Sequence, residues 1–396
     1  MAVKRVRRLK KGFKLFLSLC LLVAIGITCF LVSNSSLFKE AEKPIEVKKE
    51  KKKPKYPQEK SFSLFMVGDA LIHSAIYEDA ELADGNYDFR PMLEVMKPIV
   101  SQYDLAYYNQ ETILGGSDLG YSNYPRFNSP DQVGDAFIDA GFDLVSLATN
   151  HTMDMGEAGV IHSVNYWSNK EGIVFDGQRT SQEERDMERI YECNGIKYAF
   201  FSYTTWTNGL ETPVGKEYLN NVYSPEKAKA DIEKVKDKVD LIIVAMHWGT
   251  EYSMDVSLEQ EEIANYLSSL GVQLIIGSHP HVVEPVGYIN DNKTFVIYSL
   301  GNFISDQVGV ERLTGLMMEV TIKKTVTEEG SSVSVTSPKA ELIYTESSYG
   351  GKRNFKVYPY SSIDDTILPN YMTYYEEYKN VVSSRYPELT WGLSRS

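Results

Sequence analysis

Cysteine is almost missing from this chain of 396 residues: of three, Cys20 and Cys29 share one apolar run, leaving Cys193 alone beyond it. A single thiol excludes a disulfide framework in the outer part and leaves no thiolate set for a zinc centre. Positive charge is scarce beyond residue 60. Residues 1–60 hold 16 basic and 5 acidic side chains; of the 41 Lys and Arg and 54 Asp and Glu overall, 25 and 49 remain, a net charge near −24 for residues 61–396. That balance argues against nucleic acid as a partner, because a phosphate backbone is held by a basic footprint. It leaves open an anionic substrate held through a metal. No repeat of fixed period is present, which removes solenoids and propellers.

Long hydrophobic runs are also rare, with one exception. Seven Lys or Arg lie in the first 14 positions, and Leu15–Phe38 follows as 24 residues without a charge, including LFLSLCLLVAIGITCFLV. Such a run is long enough to span a bilayer. The basic flank before it predicts a cytoplasmic N-terminus and a main domain outside the cell membrane. A cleaved signal peptide is the competing reading. Its apolar region is usually shorter and ends at a small-x-small site, so an uncleaved single-pass anchor is expected here. Residues 39–60, KEAEKPIEVKKEKKKPKYPQEK, lack an apolar period and read as a solvated tether.

From Ser61 onward, short apolar runs alternate with helical patterns, which points to the α/β class. SFSLFMVGD, LAYYNQE, FDLVSLATNH, KYAFFSY, DLIIVAMHWG, VQLIIGSHPH and TFVIYSLGNF read as strands. PDQVGDAFIDAG, SPEKAKADIEKVKDK and SLEQEEIANYLSSLG read as helices, the last two with Ser near the start. Beyond Asp306, GLMMEVTIKK and SVSVTSPKAELIY alternate like a hairpin around TVTEEGS, and TYYEEYKNVVSSRY reads as a final helix. The expected division is residues 1–38 as flank and anchor, 39–60 as linker, 61–310 as the main domain, and 311–396 completing it.

The polar exceptions in these strands fall at their ends. His279 and His281 place two of the six histidines within three positions. On a strand, residues i and i+2 share a face, so both rings can aim at one point; a plain turn is the alternative. Asp69 closes the first strand, Glu111 follows the second, Asn150 and His151 the third, and His247 ends the run LIIVAMH. Ligands of α/β sheets bind beyond the carboxyl ends of strands. Taken singly, Asp69 or Asn150 reads as a cap, His247 as a core histidine and Glu111 as a solvated acid. Taken together, they form an oxygen and nitrogen donor set without thiolate, suited to one or two divalent ions such as Mn, Fe or Zn. Two such ions hold an oxyanion and activate a water.

The ordered motifs VGDALIH, NQET, YPRFNSP, LATNHTMDMG, HWGTEY, GSHPH and SLGNF resemble the CapA family of bacterial capsule and poly-γ-glutamate biosynthesis proteins, over roughly residues 61–306. That family is similar to the calcineurin-like metallophosphatases. The resemblance implies a sandwich of two β-sheets flanked by helices, carried on an N-terminal transmembrane helix. It implies Asp69, Glu111, Asn150, His247, His279 and His281 as metal ligands, with His73 either a further ligand or part of a turn. His151 takes the place of the histidine that donates a proton or stabilises the transition state. Glu251 is read as a general base, a partner of His247, or one side of a structural ion pair; Asp154 as the orienter of His151 or a first-turn acid. Arg126 and Asn302 are candidate substrate contacts, Arg126 through a bidentate carboxylate contact or, alternatively, plain loop packing.

Two departures stand out. Metallophosphatases open on Asp-x-His, whereas here Gly68-Asp69 is followed by His73 four residues on, and the second-strand carboxylate is a glutamate. The implied function is synthesis, export or anchoring of poly-γ-glutamate or a related anionic polymer at the cell surface by metal-assisted hydrolysis or transfer. Implied partners are the cytoplasmic membrane, the polymer and subunits of a membrane capsule synthetase. The alternative is a non-enzymatic component that binds polymer or synthetase.

Overall fold

The computed structural model describes residues 20–28, 30, 56–348 and 353–395. Met1–Lys55 and Tyr56–Ser396 form separate compact units. In the first, residues 20–28 and 30 are helical, with Leu21, Leu22, Val23, Ile25 and Ile27 exposed. No helix among the described residues is long and apolar enough to cross a membrane. The rest of the expected anchor, and the expected tether as far as Lys55, lie outside the described residues.

The second unit begins with β1 (Gln58–Ala70), β2 (Leu105–Asn109), β3 (Leu144–Ser146) and β4 (Val174–Asp176), which pair in that order and in parallel. A second sheet follows, from β5 (Tyr191–Cys193), β6 (Ile196–Thr204), β7 (Leu241–His247), β8 (Leu274–Ser278), β9 (Val286–Ile289) and β10 (Thr294–Ile297). Its order is β5-β6-β7-β8-β10-β9, with β6, β7, β8 and β10 parallel. The chain then returns to the first sheet. β11 (Asn302–Ile304) pairs with the end of β1, and β12 (Thr314–Val326) runs antiparallel along it from Gln58↔Val326 to Met66↔Met318. β13 (Ser331–Ser348), β14 (Arg353–Pro359) and the short β15 (Thr390–Trp391) extend that side.

Strand periodicity explains the layers. Along β1, Phe62, Leu64 and Met66 enter one core, while Phe65 and Val67 enter another. The first core also takes Tyr198, Ile243, Leu274, Ile276 and Phe295 from the second sheet, so it lies between the sheets. The second core lies on the outer face of the first sheet, where Val133 and Phe137 of α1 (Gln132–Ala140) meet Tyr108 and Phe142. On the outer face of the second sheet, Val244, Met246 and Ile275 pack with Ile232 of α2 (Pro225–Val235) and Ile263 and Leu267 of α3 (Leu258–Ser269). Strands covered on both faces read as continuous apolar runs, which is the character of LIIVAM and LIIG. The expected sandwich of two sheets flanked by helices is therefore present.

Helix ends follow from local chemistry. The Ser224 and Ser257 side chains accept from Lys227 N and Gln260 N, and the Gln260 side chain accepts in return from Ser257 N, closing a capping box on α3. The final helix α4 spans Tyr371–Ser383. One strand expectation fails: TFVIYSLGNF is not a single strand. It divides into β10 and β11, which belong to different sheets.

Candidate metal centre

The carboxyl ends of both sets of parallel strands converge. Asp69 ends β1 fully buried, and its Oδ1 accepts from Asn109 Nδ2 of β2 at 2.8 Å. Ser146 of β3 in turn donates to Asn109 Oδ1 at 2.6 Å, so the three strand ends are stitched side chain to side chain. Glu111 lies two residues beyond β2, and Thr149 Oγ1 donates to its carbonyl at 2.9 Å, locking the loop that carries Asn150 and His151. From the second sheet, His247 Nδ1 meets Ser278 Oγ at 3.0 Å, and its Nε2 meets Asn150 Oδ1 at 2.9 Å and His279 Nδ1 at 3.1 Å.

His279 and His281 converge, though not by strand alternation. β8 stops at Ser278, and the two histidines have φ of +97° and +59°. Non-glycine residues in that region are strained, and such strain concentrates at functional sites. It turns both rings toward Glu111. One donor atom each from Glu111, His279 and His281 lie within 4.8 Å of one another, all three buried. Ligands about 2.1 Å from a common ion stand up to about 4.2 Å apart, so this spread is within side-chain adjustment of a coordination shell. Asp69 Oδ2 lies 3.4 Å from His281 Nδ1, and Glu111 Oε1 lies 3.6 Å from His281 Nε2 and 3.8 Å from His247 Nε2.

The electrostatics identify what the cluster lacks. Both Glu111 oxygens are buried without a hydrogen-bond partner. Burial first, then the neighbouring Asp69 and Glu251, raise its carboxyl well above the usual range. Burial also pushes His247 well below its usual value and His279 down to about 3, with adjacent imidazoles adding to both. A buried carboxyl pair beside neutral imidazoles, its Glu111 oxygens unpartnered except for the proton it can share with Asp69, is a donor set that a cation would complete. The residues present fit a divalent metal.

His151 stands beside this group. Its Nδ1 meets Asp154 Oδ2 at 2.7 Å, and the same oxygen accepts from Phe127 N at 2.7 Å. The Phe127 ring meets the imidazole edge-on at 4.7 Å. Glu251 lines two clefts at the site, one reaching His279 and the other reaching His151 and Arg126.

His73, expected as a ligand or part of a turn, is, like Asp69 and His247, not among the three donors grouped within 4.8 Å. It caps the short helix Ser74–Ala80, and its Nδ1 is engaged by Leu71 O at 3.1 Å and Asp306 N at 3.3 Å. Asn302, expected to touch substrate, is fully buried: its Oδ1 meets His281 Nδ1 at 3.0 Å and its Nδ2 donates to Arg312 O at 2.8 Å. These contacts fix it against a candidate ligand, His281. Asn109, Ser146 and Ser278 belong to the site and were not singled out from the sequence. The available signal was a polar residue at the buried end of an apolar strand, the same one that marks Asp69.

Fold and site define a two-sheet α/β protein with a buried carboxylate and imidazole centre at its strand ends. The chain belongs to the family described as "Bacterial capsule synthesis protein PGA_cap", whose model matches residues 63–307. It is 29% identical over 194 residues to the PGA biosynthesis protein CapA of Bacillus subtilis, covering 47% of this chain and 48% of that protein. Against the capsule biosynthesis protein CapA of Bacillus anthracis it is 24% identical over 265 residues, covering 64% and 62%. The matches thus span about half to three fifths of these relatives' lengths. Among solved structures, a phosphatase from Mycoplasma pneumoniae is 17% identical with a TM-score of 0.43, covering 72% of this chain and 94% of that one. A calcineurin-like phosphoesterase from Bacillus subtilis is 15% identical with a TM-score of 0.44, covering 72% and 91%.

Proposed function

We propose that this protein is a membrane-anchored, outward-facing capsule protein that performs metal-assisted hydrolysis or transfer on an anionic surface polymer such as poly-γ-glutamate. The observation that carries the reading is Glu111, fully enclosed with two unpartnered oxygens and facing His279 and His281. Anchoring is supported by the 24-residue uncharged run and the seven basic residues before it. Capsule membership supports the polymer and a membrane synthetase as partners.

Asp69, Glu111, His279 and His281 would hold one or two ions, Mn, Fe or Zn, with Asn150 and His247 adjoining them. A bound ion supplies a Lewis acid and a water of lowered pKa. The protein's own groups handle the rest. Asp154 occupies His151 Nδ1, which assigns the ring proton there and leaves Nε2 as the atom that takes or gives a proton. Arg126, at the mouth of the His151 cleft, holds a carboxylate of the polymer.

The test is metal content by mass spectrometry on the full chain purified in detergent, alongside a His279→Ala, His281→Ala double variant. About one to two equivalents of metal in the wild type, lost in the variant, with turnover of a phosphodiester or γ-glutamyl substrate, is the expected result. Stoichiometric metal without turnover on either substrate class favours the non-enzymatic binding component. Absence of metal after reconstitution removes the catalytic reading altogether.

A further inference from the structure

Two clefts open at the candidate centre, and their charges differ. The first, about 400 Å³, is lined by Tyr124, Arg126, His151 and Asn208; the second, about 440 Å³, by Thr205, Thr250, Glu259 and His279; Trp206 and Glu251 line both. Arg126 makes no side-chain hydrogen bond or ion pair with any described residue, and neither does Glu259. Glu251 has the Tyr252 hydroxyl as its neighbour. Among other exposed charges, Lys97 pairs with Asp139 and Lys238 with Glu188. Trp206 is 58% exposed, whereas Trp167 and Trp248 are completely buried.

An acid in the first turn of a helix is favoured by the dipole whatever it faces, so Glu259 alone points to nothing. The second cleft, however, combines an exposed indole with two carboxylates and no Lys or Arg side chain. It ends on His279, 5% exposed, whose Nε2 has no hydrogen-bond partner. Aromatic faces and carboxylates together recognise ammonium groups. The first cleft offers an unpaired guanidinium, the complement of a carboxylate or phosphate.

We propose that the second cleft is an ammonium subsite and the first an anion subsite, so that the centre takes a substrate, or a pair of substrates, presenting an anionic group and a primary amine on the two sides of Trp206. The amine belongs to an amino acid, a peptide end or an amino sugar. A phosphoester without an amine finds no basic side chain in the second cleft and faces the Glu251 and Glu259 carboxylates there. This rests on the reading of the centre as the reaction site.

The test uses the full chain in detergent and follows Trp206 fluorescence while glutarate and n-butylammonium are titrated separately. Arg126→Gln weakens glutarate binding roughly fivefold and leaves butylammonium unchanged; Glu259→Gln does the reverse, as expected for single exposed charge contacts. Trp206→Phe removes the signal for both probes. An unchanged Tm confirms that each variant is folded. No wild-type response to butylammonium, no loss in Glu259→Gln, or equal effects of both substitutions on both probes overturns the subsites. Metal content on the same samples separates the two ideas. Charge-selective binding without metal leaves the subsites standing and sinks the catalytic reading, whereas metal without charge-selective binding sinks the subsites alone.

Discussion

Replacing Glu111 by Gln keeps the volume of the buried side chain and deletes its charge. Because the native carboxyl is raised by burial and by the neighbouring Asp69, with which an amide can still share a hydrogen bond, the metal-free variant should unfold at the same temperature or higher. Manganese should raise the Tm of the wild type and not of Glu111→Gln, since only a native state that binds the ion gains stability. Asp154→Asn tests positioning: the Nδ1 contact and the Phe127 N–H lose their carboxylate, so kcat should fall about 100-fold with metal content unchanged. Glu284 carries a pH prediction. Burial lifts it to about 8 against the usual 4.5, offset in part by the Gln260 amide at 2.6 Å. The folded chain then holds a proton that the unfolded chain releases, so this contribution is complete below about pH 4.5 and is lost as pH rises toward 8. Glu284→Gln should therefore flatten the decline of Tm between pH 5 and 8, gaining several degrees over the wild type at pH 8. Asp143, also lifted by burial to about 7, shares the sign, so the comparison is between variant and wild type. At this scale, residues with strong chemistry at strand ends were legible: Asp69, Glu111, His247, His279 and His281. Asn109 and Ser278 were not, because an amide or hydroxyl has many ordinary uses and only the fold shows what it faces.

At the scale of elements, long buried strands and capped helices were readable because each states its own period or cap. β4, β5 and β9, of three or four residues each, carry too few residues for any period and, unlike the equally short β3 and β10, were not among the apolar runs read as strands. The break between β10 and β11 was invisible for a different reason: Tyr298 to Gly301 stay buried, so nothing in their polarity marks the change of sheet. Glycine marks it instead. A Cβ on Gly68 would sit 1.8 Å from Gly301 O, and one on Gly277 would sit 1.8 Å from Tyr298 O, so β1 and β8 each touch the β10 to β11 crossing through backbone alone. The Gly301 carbonyl accepts from Asp69 N at 3.0 Å and the Tyr298 carbonyl from Trp248 Nε1 at 2.8 Å, so neither can move without breaking a hydrogen bond. Gly68→Ala should cost about 3 kcal/mol or more in urea unfolding and abolish metal binding, because Asp69 is displaced with the strand. Retention of metal with a small change in stability would show that the crossing tolerates a side chain.

The whole molecule joins a chain-terminal apolar run to an acidic two-sheet unit whose site is assembled from both sheets. No single segment holds the centre: Asp69 and Glu111 come from the first sheet, His247, His279 and His281 from the second. The family motifs end near residue 307, yet the next strand, β12, pairs with β1 through nine successive residues, and β13 and β14 continue the same sheet. Leu316, Met318, Val320, Leu342 and Val382 from this last part also enter the core between the sheets. The sequence reads residues 311–396 as completing the domain, but an alternating hairpin does not by itself say which strand it pairs with. Removing residues 311–396 would leave most of β1 without its antiparallel neighbour and open the inter-sheet core to water, an arrangement that favours edge pairing and aggregation. Removing residues 1–55 deletes a separate unit and touches none of these contacts. The second truncation should therefore keep a cooperative thermal transition and its metal content, and the first should show neither and should elute as aggregate on gel filtration. A folded, metal-binding 56–310 fragment would instead mean that the site stands on the first eleven strands alone.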